Sequence, residues 1–173
     1  NGVLIAKKGV KLHPLFSGGD QEWTLRSGTE NVAGIVAMTK ALRLTLENYE
    51  KYLSNLTALK HFLLDELVQI NGLFIHTSKS QSAPHIVNFS VPGIKSEVLV
   101  HALGNKDIYV STTSACSSKR KAPSKTLLAM GVTRTQAESA LRISMTYGTT
   151  KEEIRLFLKE LIKAINTIKE VTR

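Results

Sequence analysis

The chain has a single cysteine, Cys116, among its 173 residues. One thiol cannot form an intramolecular disulfide, and with no second cysteine nearby it cannot form a CxxC metal or redox site. The five histidines show no metal-ligand spacing, so we expect no metal site. No run of about 18 apolar residues occurs and no basic-then-apolar leader opens the chain, so we expect a cytoplasmic protein with no membrane segment.

The composition is that of a globular protein with a real core. Apolar residues make up 42% of the sequence, and neither low-complexity tracts nor internal repeats occur. The net charge of +9 raises the question of a polyanionic partner. However, the basic residues are interleaved with acidic ones over 47–66 and 152–170, which is typical of a solvated surface, so we do not expect direct nucleic-acid binding.

The first 71 residues divide into three predicted elements. Apolar runs at 3–6 and 10–12 flank Lys7-Lys8-Gly9 and predict a β-hairpin. The stretch FSGGDQEWTLRSGTEN (16–31) follows no period and predicts a long loop, a kind of segment that is often functional. Apolar residues then recur every three or four positions, predicting one long helix over 31–71 with a weak point at Ser54-Asn55.

The remaining residues, 72–173, predict a small α+β domain. LFIHTS, HIVNFSV, DIYVST and ALRISMTY read as strands, with short helices between them and Ser96 as an N-cap. Thr150 and Glu153 form a predicted capping box that opens the last helix. We expect a sheet with helices packed on one face, and a loop over 111–124 that carries Cys116.

Three groups of residues could support chemistry, and each has a simpler structural alternative. Cys116 could be a small buried hydrophobic residue, but three cations follow it at 119–121 and favour a reactive thiolate. The Gly-rich loop, with Thr29 or Asn31 before a helix, could bind an anion or only cap that helix. Arg142 could face solvent or clamp a carboxylate with its bidentate guanidinium.

Three segments in fixed order resemble one known family. GGDQEWTLRSGTEN (18–31), VSTTSACSS (110–118) and LRISMTYGTTKEEI (141–154) are similar to motifs near the C-terminus of cysteine desulfurases of the NifS/IscS type. These are pyridoxal-phosphate (PLP) enzymes of the class V aminotransferase family. The resemblance implies an α/β to α+β fold: the end of the large PLP-binding domain at 1–30, a linking helix at 31–71 and the small C-terminal domain at 72–173.

The resemblance also implies roles for particular residues. Cys116 matches the cysteine that takes sulfur from L-cysteine as a persulfide, leaving L-alanine. Arg142 matches the arginine that binds the substrate α-carboxylate. Thr29, with Gly28 and Arg26, matches the segment that reaches the PLP phosphate of the other subunit, which implies a homodimer. The sulfur acceptor would be an iron–sulfur scaffold or a tRNA- or cofactor-thiolation protein.

The lysine that binds PLP covalently in this family, in a Ser-x-His-Lys motif, would precede residue 1. We therefore expect this chain to be a fragment that alone is inactive and holds no covalently bound cofactor. The alternatives are another class V aminotransferase, a selenocysteine lyase, or a stand-alone sulfur-carrier or interaction domain.

Overall fold

The computed structural model describes residues 1–112 and 123–171. The chain forms two compact units, Asn1–Tyr49 and Glu50–Arg173, which are taken in turn. In the described parts, no helix is long and apolar enough to cross a membrane.

The first unit contains one helix, α1 (Val32–Glu47). Asn31 is its N-cap, because the Asn31 side chain accepts a hydrogen bond from the Gly34 amide at 3.0 Å. The predicted β-hairpin over 3–12 is wrong: these residues form no strand, and a single turn bond joins the Val10 amide to the Lys7 carbonyl. The first twelve residues are all exposed, so no described segment packs over them. An isolated two-stranded hairpin is only marginally stable under those conditions.

The helix predicted over 31–71 is divided at Asn48. α1 ends at Glu47, and a second helix, α2, covers Tyr49–Val68. The Asn48 side-chain amide donates to the Leu44 carbonyl at 2.9 Å, so this side chain competes with the backbone for a helical acceptor. The break therefore lies at Asn48, and the weak point predicted at Ser54-Asn55 is wrong.

The second unit contains a four-stranded antiparallel sheet. Its strands are β1 (Phe74–Ile75), β2 (Ile86–Ser90), β3 (Ser111–Thr112) and β4 (Ala140–Ser144), in the order β1-β2-β4-β3. All four lie within the stretches that the sequence predicts as strands. The predicted strand at 107–112 is reduced to its last two residues.

The described part of this unit has four further helices: α3 (Ser96–Gly104), α4 (Lys125–Ala129), α5 (Arg134–Glu138) and α6 (Lys151–Val171). The predicted capping box at Thr150 and Glu153 is confirmed, since the Thr150 amide donates to Glu153 and the Glu153 amide donates back to Thr150. The N-cap of α3 is Lys95, and the prediction of Ser96 is wrong. The Ser96 hydroxyl instead donates to the Glu138 carbonyl at 3.2 Å.

The main core lies on one face of the sheet. Val87 and Phe89 of β2 and Leu141 of β4 are fully buried there, together with residues of α2, α3 and α6. The helical members with no exposed surface are Leu63, Leu67, Leu99, Leu103 and Leu161. This agrees with the prediction that helices cover one face.

A smaller cluster packs against the opposite face at one end. Ala140 alternates with Leu141 along β4, so its side chain is on the other side of the sheet, where it meets Leu127 of α4 and Ala137 of α5. The Ser90 hydroxyl adds a hydrogen bond of 2.6 Å to the Gln136 carbonyl. The two short helices thus cover only the Ser90–Ala140 end of this face.

Candidate functional site

Arg142 lies in the middle of β4 on the face opposite the main core. Its neighbour Leu141 is fully buried, whereas Arg142 is exposed. Across the sheet Arg142 is paired with Asn88 of β2 on one side and with Ser111 of β3 on the other. Directly paired residues have side chains on the same face, so these three form one polar row.

Asn88 and Arg142 form a close cross-strand pair. The Asn88 amide donates to the Thr77 hydroxyl at 2.7 Å, and the Asn88 carbonyl accepts from the His76 amide at 2.9 Å. Both backbone groups of Asn88 therefore point away from β4. In an antiparallel sheet this defines a non-hydrogen-bonded pair, whose side chains are the closer of the two kinds.

Neither side chain of this pair is satisfied within the part of the chain that the structure describes. The Asn88 side-chain oxygen is buried without a hydrogen-bond partner. No ion pair of a described residue involves the Arg142 guanidinium. Arg142 is thus an exposed cation whose guanidinium donors are available to hold a carboxylate.

His76 extends the polar row at the β1 side. Its ring nitrogen Nε2 lies 2.5 Å from the Ser90 hydroxyl oxygen. Because the Ser90 hydroxyl donates to the Gln136 carbonyl, it accepts from His76, which places the proton of the neutral ring on Nε2. Burial lowers the pKa of His76 below its ordinary value.

Cys116 lies outside the described residues, so its predicted role is neither supported nor opposed by geometry. Both flanks of its loop are described. β3 ends at Thr112 on one side, and Ser124 caps α4 on the other by accepting from the Leu127 amide at 3.4 Å. Cys116 is the fifth residue after Ser111, the partner of Arg142. That length spans at most about 18 Å.

The predicted cofactor residues, Arg26, Gly28 and Thr29, lie together in the first unit. They line a groove of about 510 Å³ with residues from the start of the same loop. Gly28 has φ of +111°, and an added Cβ would lie 2.9 Å from the Arg26 guanidinium, so this position favours glycine. The Arg26 guanidinium donates to the Gly28 carbonyl at 3.4 Å.

Gln21 and Ser27 hold this loop, and the sequence analysis did not single them out. The Gln21 side-chain oxygen accepts from the Gly28 amide at 3.2 Å. The Ser27 hydroxyl lies 3.1 Å from the Gly19 carbonyl oxygen and 3.2 Å from that of Phe16. The sequence signal that could have identified Gln21 and Ser27 is a polar side chain among glycines, because such side chains can supply the hydrogen bonds that an irregular loop needs.

The donors at this groove fit a phosphate. Thr29 has an exposed hydroxyl, and the exposed Arg26 keeps guanidinium N–H groups beyond the one used on Gly28. Since Asn31 caps α1, Thr29 is not needed for that purpose. These residues would hold the phosphate end of PLP.

Comparisons with known proteins show the family. Residues 2–157 match the aminotransferase class-V family model, and the chain belongs to this family. It is 44% identical over 158 residues to the NifS/IcsS protein homolog of Lactobacillus delbrueckii subsp. bulgaricus, covering 91% of this chain and 41% of that protein. It is 35% identical over 172 residues to cysteine desulfurase IscS of Dictyoglomus turgidum, covering 99% and 44%.

A solved structure of a NifS-like protein confirms the predicted α/β fold class. It superposes with a TM-score of 0.81 at 35% identity, over 93% of this chain and 41% of that one. The chain therefore spans less than half the length of these relatives. The comparisons confirm the resemblance drawn from the three sequence motifs.

Proposed function

We propose that this chain is part of a PLP-dependent cysteine desulfurase, which converts L-cysteine to L-alanine and transfers the sulfur to Cys116. The single observation that carries the proposal is the identity of 35 to 44% over nearly the whole chain to relatives named NifS/IcsS homolog and cysteine desulfurase. The pairing of Ser111 with Arg142 adds support, because it joins the start of the Cys116 loop to the proposed carboxylate ligand.

Arg142 binds the α-carboxylate of the substrate in this proposal. Its guanidinium is exposed, always charged, and able to donate two parallel N–H bonds to one carboxylate. Its place on a central strand, with Asn88 and Ser111 on either side, fixes the backbone from which the side chain extends. A bound carboxylate therefore has a defined position relative to the sheet.

Cys116 supplies the nucleophile. PLP, when bound, provides the electron sink that weakens the bond between the substrate Cβ and sulfur. The Cys116 thiolate attacks the substrate sulfur, so that a sulfur–sulfur bond forms as the carbon–sulfur bond breaks. The electron pair of the broken bond stays with the carbon fragment, which is protonated and leaves as alanine, while Cys116 keeps the extra sulfur as a persulfide.

Thr29, Arg26 and Gly28 hold the phosphate of PLP, and we propose that they do so in the active site of a second subunit. The first unit exposes apolar surface that a second subunit, or a further part of the same protein, would cover. Leu4, Ile5, Leu15 and Trp23 are each more than three-quarters exposed. Apolar side chains exposed to this extent are typical of surfaces that another chain or domain covers.

The persulfide sulfur would pass to an acceptor protein, an iron–sulfur scaffold or a thiolation enzyme. The cations at 119–121 favour an acidic acceptor surface. The expectation that the 173 residues alone are inactive and hold no covalently bound PLP stays a prediction.

The proposal is tested on the full-length protein that contains this chain. Incubated with PLP and L-cysteine, it should release alanine and form a persulfide in equal amounts before any acceptor is added. Release of alanine from selenocysteine only would instead indicate a selenocysteine lyase. Transamination without sulfur transfer would indicate another class V aminotransferase.

A further inference from the structure

We infer that Asn88 is a positioning residue for Arg142: its side-chain oxygen accepts a hydrogen bond from the guanidinium and orients the remaining N–H groups toward the substrate carboxylate. The inference rests on the proposed function of Arg142 and extends it to a residue that the sequence motifs do not include.

The first support is the unsatisfied oxygen of Asn88. Buried side-chain acceptors almost always have a hydrogen-bond partner, and one that lacks it costs free energy. The Asn88 oxygen is the one such atom among the described residues. Asparagine is also disfavoured in strands, so its place in the middle of β2 is unfavourable for a second reason.

The second support is the sheet register. Asn88 is directly opposite Arg142, and the backbone groups of Asn88 bond to Thr77 and His76 on the other side. Asn88 and Arg142 are thus a non-hydrogen-bonded pair, in which Cβ atoms are about 4.5 to 5.5 Å apart. A guanidinium is long enough to return across this distance to the asparagine oxygen.

The third support is the chemistry of the guanidinium itself. It has five N–H donors in a planar fork, and a bidentate carboxylate uses only two of them. An acceptor that binds one of the others limits rotation of the long side chain, so less rotational freedom is lost when substrate binds. Ser90 is on the same face of β2, but its hydroxyl already bonds to the Gln136 carbonyl and to His76, whereas the Asn88 oxygen is buried without a partner among the described residues.

The test is Asn88→Leu in the full-length enzyme, with thermal stability and steady-state kinetics measured together. Leucine has a similar size and leaves no polar atom buried at this position, so the midpoint of unfolding should change little. The KM for L-cysteine should rise by up to about tenfold with kcat changed less than about twofold, because substrate binding must then immobilise the long Arg142 side chain. Asn105→Leu, the same change at an exposed residue after α3, is the matched control and should leave both constants unchanged.

A double-mutant cycle separates this inference from the function on which it rests. In an Arg142→Lys background, Asn88→Leu should raise KM less than about twofold, because lysine lacks the planar fork. If Arg142→Lys alone leaves KM unchanged, the proposed role of Arg142 fails. If Arg142→Lys raises KM but Asn88→Leu does not, or if the two effects multiply, the role of Asn88 is overturned while that of Arg142 stands.

Discussion

Ser111 and Arg142 are register partners in the antiparallel pair of β3 and β4. This pairing makes neighbours of two residues that are far apart in the sequence and that have different proposed roles. Arg142 is the proposed ligand of the substrate carboxylate, and Ser111 begins the short segment that leads to the proposed nucleophile, Cys116. The sheet thus anchors the start of the proposed sulfur-accepting loop beside the proposed substrate ligand.

Replacement of Arg142 should weaken substrate binding most. For Arg142→Ala in the full-length enzyme, we expect the KM for L-cysteine to rise by about 10- to 100-fold, because two charge-assisted hydrogen bonds to the carboxylate are lost. Arg134→Ala is the control: Arg134 is an exposed arginine on α5 whose partner is Glu138 at 2.8 Å. An unchanged KM for Arg142→Ala, or an equal rise for Arg134→Ala, would contradict the assignment.

Thr29 should determine cofactor affinity. Replacing it with valine removes the hydroxyl but keeps the shape, and we expect PLP to dissociate about tenfold more readily from the full-length protein. Thr29→Ser should retain most of the affinity. Thr39→Val removes a hydroxyl that bonds only to the Ile35 carbonyl within α1, so fluorescence titration with PLP should show wild-type affinity for that variant.

His76 should make the stability of the fold depend on pH. Burial lowers its pKa in the folded protein, so the unfolded chain binds the proton at a higher pH than the folded one. The free energy of unfolding should therefore be greatest above about pH 6.5, the ordinary histidine value, and fall as pH decreases through the lowered pKa. Urea unfolding of the chain between pH 8 and pH 5 measures this dependence.

His76→Gln should reduce that slope, because glutamine can still donate to Ser90 but does not titrate. The same replacement at His101, an exposed residue of α3, provides the comparison. A pH dependence that persists undiminished in His76→Gln would show that other groups are responsible.

The core on the helical face of the sheet should depend on Leu161. This α6 residue has no exposed surface, and Leu161→Ala should cost about 2 to 5 kcal/mol of unfolding free energy. Leu156 is on the same helix but 50% exposed, and Leu156→Ala should cost no more than about 1 kcal/mol. Equal losses in urea unfolding would mean that α6 does not pack as described.

The features that sequence predicted correctly are those encoded within a few residues. The capping box at Thr150 and Glu153 needs only its own four residues. Likewise, the predicted strand HIVNFSV has a local alternation of apolar and polar residues, and β2 (Ile86–Ser90) forms within it.

The features that sequence missed depend on contacts elsewhere or on one side chain among several candidates. The apolar runs at 3–6 and 10–12 have the pattern of a hairpin, but no other strand pairs with them in the structure. Asparagine occurs both at the observed helix break, Asn48, and at the predicted weak point, Ser54-Asn55. The hydrogen bond from the Asn48 side chain to the Leu44 carbonyl, which the sequence does not reveal, distinguishes the first position.

The sequence motifs supplied candidate residues for the site but not their geometry. Arg142 and Thr29 were found from motifs, whereas Asn88 became apparent only when the register placed it opposite Arg142. One signal was available: an asparagine in the middle of a strand of mainly apolar residues contradicts local preference, and such contradictions are expected at functional sites.

The most direct test of the account is the fate of the substrate sulfur. The full-length protein is incubated with PLP and L-cysteine without reductant, and the peptide containing Cys116 is analysed by mass spectrometry while alanine is quantified. The account predicts one additional sulfur atom on Cys116 for each alanine released in the first turnover, and loss of both in Cys116→Ser. Undiminished alanine release by Cys116→Ser, or wild-type turnover that leaves no sulfur on Cys116, would contradict it.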